Sequence, residues 1–292
     1  MYIFDLSNIN KYAVEDDKMI DFDNSATFPN EIKEWVLNQR EYFYSLFDKV
    51  DFSEWWQLEH KLCDIRLWEQ SFIQRFVDKN LKMEVAVWHT TRIEDKESYE
   101  KNGIIIMGGR GSKAERNLIC LFQRVGMNEK QIKEVFEHIY FLWDRDKNTR
   151  THSVHFFVNR EFVYNNDQMS AFALNLGGEC VRWAIEAINR ELYKIEPYKR
   201  LWIMGTPSII KFKCRLEEID RYTRDMLIAE IAKYYVVTEL YGFPYEFEFT
   251  GRKEGKVKPE DIIVIEEIQG FIEMQEKYDD YQNFYNELKT TR

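Results

Sequence analysis

The sequence predicts an α+β fold: a β-sheet core flanked by helices, with a helical region ahead of it. Three observations lead there. Large apolar residues recur at helical spacing through much of the first 80 positions. From Met83 onward, short runs rich in Val, Ile and Phe alternate with longer amphipathic segments. Those runs lack the regular strand–helix–strand rhythm of a doubly wound sheet. The expected organisation is an N-terminal helical accessory region over 1–80, a main domain over 81–270 and a C-terminal helix over 271–292.

Taken in order, YIFDL reads as a strand and the chain to Pro29 as loop. Pro29 suits a helix start, and Trp35, Leu37, Tyr42, Phe43, Leu46 and Phe47 follow it. Ser53 is a candidate cap for a second helical run carrying Trp55, Leu58, Leu62, Ile65, Leu67, Phe72 and Phe76. This aromatic stripe reads as a packing face. MEVAVWH is a buried strand ending at His89. A helix over 94–102 stops at Gly103, and Ile104–Met107 is a further strand. Gly108-Gly109-Arg110-Gly111 is a flexible loop before helices over 117–125 and 129–142. DRDKNTR is a charged loop, and 152–158 alternates as a strand. An amphipathic helix covers 179–192, a strand lies within 207–216, and a strong helix over 223–241 ends at Gly242. Tyr245–Phe249 reads as a strand with aromatic/acidic alternation, 251–259 as a turn and 262–265 as a last strand.

Composition limits the function classes. The chain has 292 residues, 45% of them hydrophobic, which suffices for one large domain with an accessory lobe. Phe, Tyr and Trp together make up 16%, so a large core is expected. The formal charge of −10 disfavours tight nonspecific binding to nucleic acid, which needs clustered cations. Tyr198-Lys199-Arg200 with Lys211 and Lys213 could supply a local basic groove, but the favoured reading of these residues is solvated surface charge. Cys63, Cys120, Cys180 and Cys214 are scattered, without metal-binding or disulfide-framework spacing, and suit reduced core positions in a cytoplasmic protein. No secretory signal and no run of 18 apolar residues is visible, so no membrane role is expected.

Four clusters could carry chemistry. Trp88-His89-Thr90-Thr91-Arg92 combines an imidazole, two hydroxyls and a guanidinium, a set able to hold a ribose and a phosphate; it reads also as a satisfied structural histidine. Phe156 and Phe157 on a strand can stack a flat heterocycle or fill a core. Gly177-Gly178-Glu179 permits close backbone approach and puts a carboxylate in the first turn of a helix. Tyr245-Glu246-Phe247-Glu248-Phe249 places two carboxylates on one side of an extended chain, where one can stabilise developing positive charge or simply face solvent. His152 and His155, three apart on a strand, face opposite ways and make a poor metal pair. The P-loop, dinucleotide, zincin and nucleophile-elbow patterns are absent, and no metal site is expected.

The ordering of these motifs resembles that of a group of uncharacterised bacterial proteins. The shared elements are His89-Thr90-Thr91-Arg92-Ile93, Asn102-Gly103, Phe156-Phe157, Gly177-Gly178-Glu179, Met204-Gly205-Thr206-Pro207 and Pro259-Glu260-Asp261-Ile262. They span roughly residues 85–270 and in turn resemble the ADP-ribosyltransferase superfamily of the His/aromatic/Glu type. That resemblance implies a split mixed or antiparallel sheet and an NAD substrate. It implies that His89 holds the NAD ribose, with Thr90, Thr91, Arg92 and Glu179 at the cofactor. Phe156 or Phe157 would stack nicotinamide, although the superfamily commonly has Tyr there. Glu248 would be the catalytic carboxylate, with Glu246 and Glu179 as alternatives. It further implies transfer of ADP-ribose to a macromolecule, by a bacterial toxin or antiphage defence effector with an antitoxin or immunity protein as partner. The acidic charge favours a protein target over RNA or DNA. The competing readings are an inactive binding or regulatory module of the same fold and a nucleic-acid-processing enzyme.

Overall fold

The computed structural model describes residues 19–47, 58, 62, 65–106, 108–145, 151–165 and 205–268. It is α+β, with an open, mostly antiparallel sheet of six strands flanked by helices. The strands are β1 (Ile20–Asp21), β2 (Glu84–Ile93), β3 (Ser153–Phe157), β4 (Thr206–Arg215), β5 (Thr250–Glu254) and β6 (Ile262–Glu267). Their order is β5-β3-β2-β4-β6, with β1 pairing in parallel on β2. Contacts divide the chain into two units, Met1–Val87 with Cys214–Gly251 and Trp88–Lys213 with Arg252–Arg292.

The first unit is built on helix α8 (Arg221–Tyr235), which Asp220 caps by accepting from the Thr223 amide at 3.2 Å. The helix continues into a π-turn over Val236–Leu240. Leu227, Ile228, Ile231 and Ala232 are fully buried, as the apolar stripe of a helix facing a core requires. Against α8 pack α1 (Asn30–Asn38), α3 (Ser71–Lys79) and the turn over Leu67–Glu69. A second helix, α2 (Arg40–Phe47), follows α1. Trp35 stacks flat on Phe72, centroids 4.7 Å apart, so the described part of the aromatic stripe is a packing face; Trp55 lies outside the described residues. The expected run from Trp55 to Phe76 is not continuous. Arg66 takes a left-handed φ of 48° and breaks it before Leu67, and α3 restarts at Ser71.

The second unit carries β3, β6, most of β4 and β5 and residues 88–93 of β2, together with helices α4 (Lys96–Asn102), α5 (Lys113–Arg124), α6 (Glu129–Arg145) and α7 (Arg160–Asn165). Helix α4 is capped by Asp95, which accepts from the Glu97 amide, and stops at Gly103 as expected. Gly103 has φ 71° and ψ −161°, a conformation only glycine adopts readily, and a Cβ there would lie 1.9 Å from the Val257 carbonyl oxygen. This close approach seats the Ile104–Val257 bridge, so Ile104 belongs to one bridge and not to a strand.

Several boundaries differ from the sequence expectation. Strand β2 runs through His89 to Ile93, because Thr90, Thr91 and Ile93 are β-branched and continue the extended chain. Among the described residues Tyr245–Phe249 pairs with no strand; a regular strand runs over Thr250–Glu254, into the stretch 251–259 expected as a turn. The glycine-rich loop is not free. The Gly111 amide donates to the Glu115 carboxylate, the Arg116 guanidinium donates to the Gly111 carbonyl at 2.8 Å, and Ser112 caps α5. Tyr140 also donates to Glu115, and Arg110 lies over the Tyr140 ring while pairing with Asp144 at 3.1 Å. In β6 the pairing with β4 slips between Lys211 and Phe212: Lys211 faces Val264 and Phe212 faces Ile262, so Ile263 is an extra, bulged residue. The expected Ser53 cap, the helix over 179–192 and the C-terminal helix fall outside the described residues.

Candidate functional site

His89 sits near the middle of β2 and not at its end. Successive side chains on a strand point to opposite faces. His89 and Thr91 therefore share one face, while Trp88, Thr90 and Arg92 occupy the other, and the compact WHTTR cluster is divided between the two. Antiparallel pairing with β3 sets Trp88 opposite Phe157. It also brings the His155 backbone within reach of the imidazole.

The His89 Nδ1 lies 2.8 Å from the His155 carbonyl oxygen. A carbonyl only accepts, so Nδ1 carries the proton and donates. In the neutral ring that leaves Nε2 as an acceptor with a fixed direction. The ring is half-buried. Burial disfavours the imidazolium and moves the pKa below its ordinary value of 6.5, against a smaller opposing effect of the His155 carbonyl. On the same face the Thr91 hydroxyl meets the Tyr99 hydroxyl of α4 at 3.3 Å. Burial pushes the Tyr99 phenol above its ordinary pKa, so it stays protonated; the Thr91 hydrogen bond opposes this. Tyr99 lies eight residues beyond Thr91, past a turn and on a helix, and no periodicity in the sequence joins the two. One face of β2 thus presents a ring nitrogen that accepts and two hydroxyls that both donate and accept.

The opposite face is more enclosed. Arg92 is 7% exposed and donates to the Gly205 carbonyl at 2.9 Å, with burial pushing its pKa down to about 10. Thr90 is buried. The Lys211 ammonium lies 5.1 Å from the centre of the Trp88 ring, a cation–π contact. Lys199 and Arg200 lie outside the described residues.

Phe156 and Phe157 are 1% and 6% exposed. Phe156 meets Phe212 edge-on at 6.5 Å and Phe157 meets Phe162 at 6.1 Å. Both rings are spent on packing, and neither presents a face to a flat ligand in this arrangement. Glu179 lies outside the described residues. Glu246 and Glu248 are exposed, flanking the buried Phe247. His89 belongs to the second unit, and both glutamates to the first. Among the described residues no group of three or more His, Cys, Asp and Glu side chains could hold a metal ion. No described helix is long and apolar enough to cross a membrane.

Comparison with protein-family models, with curated proteins and with solved structures finds no match to this chain.

Proposed function

We propose that this chain binds NAD and transfers its ADP-ribose to a macromolecular target, a protein more readily than a nucleic acid. One observation carries the reading: the His89 imidazole, locked by the His155 carbonyl with Nε2 as acceptor, beside the Thr91 and Tyr99 hydroxyls. A ribose diol offers two hydroxyls that donate and accept, and this set answers both functions. In the transfer, the bond between the ribose C1′ and the nicotinamide nitrogen breaks, nicotinamide leaves, and a target nucleophile takes its place on C1′. The transition state has oxocarbenium character, so a carboxylate stabilises it electrostatically. Glu248, Glu246 and Glu179 are the candidates for that carboxylate. The resemblance in motif order supplies the identity of the nucleotide and the role of toxin or antiphage effector, with an antitoxin as partner.

The burial of both Phe156 and Phe157 favours a second reading, a module that binds nucleotide without turning it over. Calorimetry with NAD and assay of released nicotinamide separate the two. The transfer reading expects NAD binding that His89→Ala weakens about tenfold or more, as for loss of one buried hydrogen bond to a ligand. It also expects nicotinamide release that one of Glu248→Gln, Glu246→Gln and Glu179→Gln abolishes with NAD binding retained. Binding without release establishes the module. No binding at millimolar NAD, or binding indifferent to His89→Ala, sinks both.

A further inference from the structure

Helix α8 buries a charged pair in a place where apolar side chains would serve stability at least as well. Glu230 and Lys233 are each 5% exposed, and the Lys233 ammonium donates to Glu230 Oε1 at 2.6 Å. Replacing such a buried pair by apolar residues is often neutral or stabilising, so its role is better sought in what it holds. The second oxygen, Oε2, accepts from the Tyr245 hydroxyl at 2.6 Å. Tyr245 opens the extended segment 245–249, which belongs to no strand. Among the described residues no backbone–backbone hydrogen bond outside the regular elements involves 246–249.

Side chains fasten this segment instead. The Phe247 ring is 7% exposed and stacks on Tyr234 at 5.7 Å and 20°. It meets Phe22 edge-on at 5.0 Å, Phe28 at 5.7 Å and Tyr245 at 5.1 Å. Alternation along the extended chain then turns Glu246 and Glu248 outward, where both are exposed. Ring packing fixes the depth of the segment but resists sliding and twisting poorly. A hydrogen bond to a charged, buried oxygen supplies the directional restraint.

We infer that Glu230 is a positioning residue: held by Lys233, its carboxylate grips Tyr245 and so fixes Glu246 and Glu248 on the open side of the segment. The catalytic consequence rests on the transfer reading, in which one of those two glutamates serves C1′ of the ribose. The anchor itself does not.

The test uses full-length protein with Tyr245→Phe, which removes one hydroxyl and keeps the ring that packs on Phe247. A glutamyl endopeptidase under native conditions reports how often the chain opens at Glu246 and Glu248. Cleavage there is expected to accelerate about tenfold, the scale of one hydrogen bond to a charged group. In a Glu230→Leu/Lys233→Met background, Tyr245→Phe is expected to add nothing further. In the nicotinamide assay, Tyr245→Phe is expected to lower kcat about tenfold and leave KM for NAD unchanged, a split that a merely structural loss would not give. Unchanged cleavage, or a full additional effect in the apolar background, overturns the anchor. Faster cleavage with unchanged kcat overturns the positioning role. If the wild type releases no nicotinamide, the transfer reading falls and cleavage alone decides the anchor.

Discussion

At the residue scale the candidate site turns on a single imidazole. His89 has its tautomer set by the His155 carbonyl and its pKa lowered by burial. With the folded-state pKa below 6.5, the unfolded chain binds this proton more readily than the folded one in acid. Stability therefore falls as pH drops through 6.5, by at most about 1.4 kcal/mol per pH unit from this group. Urea midpoints of wild type and His89→Gln, measured between pH 7 and 5, are expected to converge as the pH falls, because the variant lacks the penalty. Parallel curves would show that the imidazole gains its proton equally in both states. The sequence singles out His89 as a polar residue on an apolar strand. Its partners are not legible there. Stopping the strand at His89 hides the alternation that sends Arg92 and Thr90 to one face and His89 and Thr91 to the other. Tyr99 and the His155 carbonyl arrive through tertiary pairing, which no local pattern encodes.

At the element scale the helix ends and strand cores follow local chemistry closely. Asp95, Ser112 and Asp220 cap their helices through side-chain oxygens, and each stands where the sequence changes from polar loop to amphipathic period. The strand expected over Tyr245–Phe249 shows where such reasoning stops. Alternation reports an extended chain with one face inward, and that much holds, for Phe247 is buried and Glu246 and Glu248 are exposed. A strand also needs a backbone partner, and the sequence carries no signal for one. The glycines divide in a similar way. At Gly103 both the backbone angles and the nearby Val257 carbonyl exclude a side chain, whereas a Cβ at Gly109 meets nothing within 4 Å. Gly103→Ala is expected to lower unfolding free energy by about 2 kcal/mol or more, from a glycine-only conformation compounded by a clash. Gly109→Ala is expected to change it by less than about 0.5 kcal/mol. Urea denaturation of the two variants checks the contrast, and equal losses would contradict it.

At the scale of the whole molecule, the helix-then-mixed order of the sequence was enough for an α+β sheet protein, but it did not reveal how the strands are ordered. β4 lies between β2 and β6, and β5 closes the far side beside β3, so chain order and spatial order diverge. Among the described residues the two terminal strands of the sheet also differ in kind. β5 is Thr250-Gly251-Arg252-Lys253-Glu254, short and charged, while β6 runs Ile262-Ile263-Val264-Ile265 before its glutamates. A rim of that second composition is the sort on which chains template one another. Its bulge at Ile263, which is 46% exposed, interrupts the even spacing of amides that such growth would copy. Deleting Ile263 would restore one-to-one pairing with β4 and leave a straight, apolar rim. Thioflavin fluorescence is then expected to rise after a markedly shorter lag than in wild type, and equal lags would show the irregularity to be idle. On this view a single supernumerary isoleucine acts as a guard against fibril nucleation, protecting the protein from copies of itself.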